Sequence, residues 1–295
     1  MTLSDFRFYE EEVVDYVNRL LDKVKEQNFP EYVLLLSRAS YQKENEHTLL
    51  SPYVVQSNLE IRQDQSRQNF LHTYLNQMTA LLEEGIFLTD EIKEFNWNLQ
   101  LMMYSHVWES HRFLMNLKRI ASILGGIGYA WRIPFERTQK KGSSKMIPIN
   151  KGKFIQDNIL EPMLNYDEKM GAFLVSMYDS TIRNGYAHSL YSIDMEHGNI
   201  EFLKAETYSL EKSISVLDWE QMFSYTVLFS YHLTKSIMDR LNHFMDDYPT
   251  IDEIEIMWPS FEHPGKAYRT GIYPLKIEYN GHRYVEFNFV ANKKI

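Results

Sequence analysis

Apolar residues recur at three- and four-residue spacing along most of the chain, and this period predicts amphipathic helices. The first such segment covers residues 3–27, where Ser4 is a suitable N-cap. Further segments with the same period lie at residues 58–85, 89–124, 154–164, 168–182 and 218–247. The last of them is expected to begin at Asp218 as its N-cap. Several long amphipathic helices joined by short turns are typical of an antiparallel helical bundle.

The period changes at two places, and both predict β-structure. Residues 189–195 and 199–204 alternate between apolar and polar side chains around a turn at residues 196–199. Near the C-terminus, two alternating segments flank Asn280-Gly281, a dipeptide that favours a two-residue hairpin turn. We therefore predict a mainly α protein, a helical bundle with a small inserted β-hairpin and a β-rich C-terminal tail.

These patterns divide the chain into three predicted parts. Residues 1–57 are expected to form an N-terminal helical segment that packs on the bundle, and residues 58–248 the bundle itself. Residues 249–295 are expected to form a β-rich C-terminal appendage. Pro249 marks the boundary, because proline commonly follows the end of a helix.

Composition and charge exclude several classes of function. The 295 residues contain no cysteine, which excludes disulfides, cysteine-ligated zinc and a cysteine nucleophile. The first residues lack the basic and apolar regions of a signal peptide, and no apolar stretch reaches the length of a membrane span. We therefore expect a cytoplasmic protein that does not enter a membrane. The net charge of −9 argues against a protein that coats nucleic acid through general basicity.

One loop is basic although the chain as a whole is acidic. Residues 137–153 are rich in lysine, and Lys140, Lys141 and Lys145 are the candidates to contact RNA phosphates. The alternative is a flexible surface loop, which the run Gly142-Ser143-Ser144 also favours.

The candidate chemistry lies where a helical segment ends. Arg183, Asn184 and His188 lie close together in the sequence, and we expect Gly185 to let the chain turn back after the helix. Histidine exchanges protons near neutral pH, and arginine presents a permanent charge and a planar fork that suits phosphate oxygens. The amide of Asn184 can orient either group. Such groups can cleave RNA without a metal, using the 2′-hydroxyl as nucleophile and leaving a 2′,3′-cyclic phosphate.

The run from Arg183 to His188, with the polar Asn184 after the arginine, resembles the Arg-x4-6-His motif of the HEPN superfamily. The helical context is also similar, since family members carry the motif between the penultimate and the final helix of a bundle. The resemblance implies a metal-independent endoribonuclease without a cofactor, in which Arg183 and His188 are catalytic and Asn184 supports them. It also implies a homodimer with the motif at a shared cleft, RNA as substrate, and a toxin or antiviral role with a neutralising antitoxin or a defence partner.

Other interpretations of the motif stay open. A HEPN-like fold could bind RNA or a nucleotide without cleaving it, and aromatic-rich helices could form a regulatory surface for a partner protein. Asp179 lies four residues before Arg183, so a helical ion pair would explain the arginine without any site.

No other pattern in the sequence predicts a metal or cofactor site. His106 and His111 are five residues apart, so they do not share a helical face as zinc ligands do. We expect His106 to be a buried residue on the apolar face of its helix. The glycines within residues 125–128 follow a helix and lack the spacing of a phosphate-binding loop, so we interpret them as a helix stop.

Overall fold

A computed structural model describes the chain except for residues 43–52, 56–57, 86–88, 134–136, 140–145, 149, 260–266, 280–281 and 290–295. Most of the described residues are helical, and the strands form small antiparallel sheets. The prediction of a mainly α protein is therefore confirmed.

The described helices follow one another with short connections in most places. They are α1 (Leu3–Gln27), α2 (Phe29–Leu36), α3 (Asn58–Glu83), α4 (Asp90–Glu109), α5 (His111–Leu124), α6 (Lys151–Ile155), α7 (Glu161–Tyr166), α8 (Glu168–Ser176), α9 (Ser180–Ala187), α10 (Val216–Asn242) and α11 (Phe244–Asp247). A π-helical turn, Gln156–Leu160, joins α6 to α7. Across the described residues, every helix falls short of the combined length and apolarity that a membrane crossing requires.

Each of the described strands pairs with an antiparallel neighbour. They are β1 (Ser40–Tyr41) with β2 (Tyr53–Val54), β3 (Arg137–Gln139) with β4 (Met146–Pro148), the sheet of β5 (Tyr191–Asp194), β6 (Asn199–Leu203) and β7 (Leu210–Ser215), and the sheet of β8 (Ile254–Pro259), β9 (Ala267–Tyr279) and β10 (His282–Phe289). The central strands of the two larger sheets are β6 and β9. Tyr279 of β9 faces His282 of β10, so these strands pair as predicted, while the turn residues Asn280 and Gly281 lie outside the described residues.

Two segments that were predicted as single helices are each broken by a polar cap. Ser110 separates α4 from α5 with an extended backbone, and its hydroxyl accepts the N–H of Phe113 at 3.5 Å. Asp179 separates α8 from α9 in the same way, since its carboxylate caps the N-terminus of α9. Short polar side chains compete with the helical backbone for hydrogen bonds and so favour helix starts.

The predicted hairpin is present as β5 paired with β6, and a third strand extends it to a three-stranded sheet. Its third strand, β7, pairs with β6, and Ile214 lies opposite the fully buried Ile200. The strand ends at Ser215, which caps α10 by accepting the N–H of Asp218 at 3.1 Å, so the prediction of Asp218 as the N-cap was wrong. The predicted cap of α1 was also wrong, because Thr2 accepts the N–H of Asp5 at 3.2 Å.

One hydrophobic core connects the N-terminal segment, the bundle and the tail. α1 packs along α10, where the ring of Tyr16 lies 5.6 Å from that of Phe229. From the tail, the ring of Phe287 packs edge-on against Phe244 at 5.1 Å. The packing of α4 and α9 against this core positions the predicted site.

Candidate functional site

The helix α9 carries the predicted motif and is fixed at its N-terminus by Asp179. One carboxylate oxygen of Asp179 accepts the N–H groups of Thr181 at 2.8 Å and Ile182 at 3.0 Å. At the other end, the N–H of His188 donates to the carbonyl of Asn184 at 3.0 Å. The motif therefore forms the second half of α9 and its C-cap, because α9 begins at Ser180 and ends at Ala187, and His188 caps it.

Gly185 lies inside α9, so the expectation that it turns the chain was wrong. The turn is made by Ser189, whose φ of 55° is left-handed, and the N–H of Leu190 closes it on the carbonyl of Gly185 at 2.7 Å. Gly185 instead allows close packing, since a Cβ there would lie 2.5 Å from Cδ1 of Phe202 on β6. This contact seats α9 against the inserted sheet.

Arg183 is buried, with 9% of its surface exposed. Its Nη2 donates to Oδ1 of Asn184 at 2.7 Å, and its Nη1 lies 3.2 Å from Oε1 of Glu109. Among the described residues, Nη1 has no acceptor in hydrogen-bond geometry, so the contact with Glu109 is an ion pair only. A buried guanidinium requires such a counter-charge, because isolated burial of a charge is costly.

Glu109 holds two cations at once. It is the last residue of α4, and while Oε1 faces Arg183, Oε2 accepts a hydrogen bond from Nζ of Lys151 at the start of α6. The side chain of Glu109 is 42% exposed, whereas those of Arg183 and Lys151 are 11% and 22% exposed. The structure thus places a solvent-accessible carboxylate over two less accessible cations.

Asp179 is paired with Lys212 of β7 and not with Arg183. The hydroxyl of the fully buried Tyr104 accepts the N–H of Asp179 at 2.7 Å, which orients the cap further. Burial raises the pKa of Tyr104 well above its ordinary value, so this hydroxyl stays protonated. The helical ion pair between Asp179 and Arg183, which would have explained the arginine, is therefore absent among the described contacts.

Tyr178 adds a polar group beside the two cations. Its ring packs edge-on against Trp108 at 4.7 Å, and its buried hydroxyl has no hydrogen-bond partner within the described part of the chain. Burial raises the pKa of Tyr178, and the charge of Arg183 opposes this shift. The hydroxyl therefore remains a donor at neutral pH, close to Gly152, where a Cβ would lie 3.4 Å from it.

His188 is exposed, and its ring makes no hydrogen bond or ion pair within the described residues. Two helical positions five residues apart differ by about 140° around the helix axis, so His188 lies on a different face of the helix from Arg183. No hydrogen bond joins the two side chains in the described structure. The fold thus brings Arg183 together with Asn184 and Glu109, and leaves His188 on the surface.

The remaining predicted residues fall in two groups. Lys140, Lys141 and Lys145 lie outside the described residues. His106 is exposed on α4, so the expectation that it is buried was wrong. Over the described ranges, no group of three or more His, Asp or Glu side chains is arranged to hold a metal ion.

Glu109, Tyr178 and Lys212 were not predicted as site residues, and Lys151 was predicted only as part of the basic segment 137–153. Glu109 and Lys151 are distant in sequence from Arg183, so no spacing rule relates them to it. Tyr178 and Asp179 directly precede α9 and were assigned to a continuous helix, which concealed the cap.

Comparisons with family models, curated proteins and solved structures each found no match to this chain.

Proposed function

We propose that the α9 motif is the active site of a metal-independent endoribonuclease with a HEPN-like helical fold. The observation that supports this most is the contrast between the two principal residues. Arg183 is a buried cation held by Asn184 and Glu109, whereas His188 is exposed with an unengaged ring in the described structure. A fixed cation beside a solvent-accessible acid–base group suits cleavage of a charged polymer that reaches the site from solvent.

In the proposed reaction, His188 removes the proton from the RNA 2′-hydroxyl. The 2′-oxygen attacks the adjacent phosphorus, and the bond from phosphorus to the 5′-oxygen breaks. Arg183 stabilises the negative charge that builds on the phosphorane, and Asn184 keeps the guanidinium oriented. A proton passes to the departing 5′-oxygen, so the products carry a 2′,3′-cyclic phosphate and a 5′-hydroxyl.

The proton for the leaving group calls for a second donor, because each copy of the chain has one histidine in the motif. A homodimer with a two-fold axis beside α9 would supply the His188 of a second copy. Lys140, Lys141 and Lys145 are the proposed contacts to the RNA strand. We assign the enzyme to a toxin or antiviral role, in which a neutralising antitoxin or a defence protein controls the RNA cleavage.

Expression in a bacterial host tests this proposal. The matched control for His188→Ala is His197→Ala, because His197 is also exposed but is engaged by Asp194 at 2.7 Å in the inserted sheet. The wild type and His197→Ala are expected to slow growth and fragment cellular RNA, and His188→Ala to do neither. Equal toxicity and equal RNA fragmentation by the wild type and His188→Ala would contradict the proposal.

A second candidate function is RNA binding without cleavage. It is favoured by two observations. No hydrogen bond links Arg183 to His188 in the described structure, and Glu109 already neutralises the guanidinium. Incubation of the purified protein with RNA in excess chelator separates the two functions. Recovery of intact, protein-bound RNA supports the binding module, and appearance of fragments supports the enzyme.

A further inference from the structure

Arg183 and Lys151 both contact the carboxylate of Glu109. We propose that these two cations form the subsite for an RNA phosphate, and that Glu109 closes this subsite by occupying the place of that phosphate. The inference deepens the proposed function and rests on it for the identity of the ligand.

The contacts of Glu109 match those that a phosphodiester would make. Its two oxygens each engage a different cation, as the two non-bridging oxygens of a phosphate can. The match to Arg183 is incomplete, because Nη1 lies 3.2 Å from Oε1 without hydrogen-bond geometry. A tetrahedral phosphate presents oxygens in more directions than a planar carboxylate, so it can take this donor as well.

Arg183 is held by a second partner besides Glu109, whereas the Glu109 carboxylate is partly exposed. Arg183 is held by Asn184, and α9 also carries the buried residues Ile182 and Gly185. Glu109 is instead the last residue of α4, followed by the extended backbone of Ser110. The C-terminus of a helix disfavours a negative charge, so the ion pairs with the two cations hold Glu109 there.

Tyr178 supplies a third donor at this place. Its buried hydroxyl has no partner in the described structure, and it lies beside Gly152, the residue after Lys151. A buried hydroxyl without a partner can donate to an acceptor that a ligand brings to it. Two donors at this place, Nη1 of Arg183 and the hydroxyl of Tyr178, therefore have no hydrogen-bond acceptor among the described residues.

Binding of a non-cleavable RNA tests the inference separately from catalysis. The protein carries His188→Ala throughout, and the probe is a short fluorescent oligoribonucleotide of mixed sequence with 2′-O-methyl groups. Glu109→Gln removes the competing charge and is expected to bind the probe about tenfold more tightly in fluorescence anisotropy. The matched control is Glu10→Gln, since Glu10 has the same 42% side-chain exposure and faces a partner, His232, that is also 11% exposed.

A second substitution assigns the gain to the subsite. Adding Lys151→Met to Glu109→Gln is expected to abolish the gain, and thermal melts confirm that each variant is folded. Equal probe affinity of the folded Glu109→Gln and Glu10→Gln proteins would overturn the inference. Tighter probe binding by Glu109→Gln, together with intact RNA after incubation with the wild-type protein, would support the subsite while contradicting the proposed ribonuclease.

Discussion

Asp179 forms its ion pair with Lys212 on β7, although Arg183 lies four residues further along the same helix. The carboxylate of Asp179 also caps α9, so it joins the start of the helix to the inserted sheet. Arg183 is thereby left to pair with Glu109 at the end of α4. The arrangement of the site thus depends on a strand that comes after the motif in sequence.

Replacing Asp179 separates its two contributions to stability. Asp179→Asn keeps a capping oxygen and removes the ion pair with Lys212, whereas Asp179→Ala removes both. We expect Asp179→Ala to lower the free energy of unfolding by about 1 kcal/mol more than Asp179→Asn, because the cap is lost. Urea denaturation measures this, and equal losses for the two variants would show that the cap contributes nothing.

Gly185→Ala tests the contact between α9 and the inserted sheet. The added Cβ would lie 2.5 Å from Cδ1 of Phe202, so we expect a loss of about 1–3 kcal/mol in the free energy of unfolding. Phe202→Leu shortens the opposing side chain, so the double variant should be more stable than the sum of the single losses predicts. Additive losses would contradict the close approach of the two residues.

The pair of Glu10 and His232 predicts a dependence of stability on pH. The hydrogen bond with Nε2 of His232 at 3.0 Å lowers the pKa of the Glu10 carboxyl below its ordinary value of 4.5, against the opposing effect of burial. A lowered pKa in the folded state means that ionised Glu10 stabilises the fold above pH 4.5, and that this stabilisation is lost as the pH falls through the folded-state pKa.

Urea denaturation of the wild type and Glu10→Gln over a series of pH values measures this dependence. The stability difference between them should be largest near neutral pH and should shrink as the pH falls below 4.5. A difference that stays constant from neutral to acid pH would contradict the role of this hydrogen bond.

Glu109→Gln is expected to cost stability even where it improves RNA binding. It leaves the buried guanidinium of Arg183 without its anion, but Glu109 is 42% exposed and solvent screens the loss, so we expect about 1 kcal/mol. Adding Arg183→Met removes the uncompensated charge and should restore part of the melting temperature. A melting temperature of Glu109→Gln equal to that of the wild type would show that the ion pair does not stabilise the fold.

The helical period identified most helices but not where they break. Within the segment 89–124, which was predicted as one amphipathic helix, the apolar Phe95 is 69% exposed, while Trp97 and Trp108 are buried. A single apolar face cannot extend from α4 into α5, because the extended backbone of Ser110 changes the direction of the chain between the two helices. β7 was not predicted, because its alternation of buried and exposed residues is weak and Ile214 is its one buried residue.

The site was predictable only as far as local spacing reaches. Arg183, Asn184 and His188 lie within one short helix and its cap, and their role as a site stays a prediction. The partners of Arg183 and Asp179 come from α4 and β7, and which carboxylate pairs with which cation follows from packing between distant segments. Local sequence contains no information on that choice.

The central claim is that His188 drives RNA cleavage through the 2′-hydroxyl, and the ends of the product fragments test it most directly. Purified wild type, His188→Ala and His197→Ala are incubated with RNA in excess chelator, and fragment ends are analysed against time. We predict 2′,3′-cyclic phosphate and 5′-hydroxyl ends from the wild type and His197→Ala, and a rate about 100-fold lower for His188→Ala. The claim is contradicted by intact RNA with the wild type, by 3′-hydroxyl ends, or by an undiminished rate in His188→Ala.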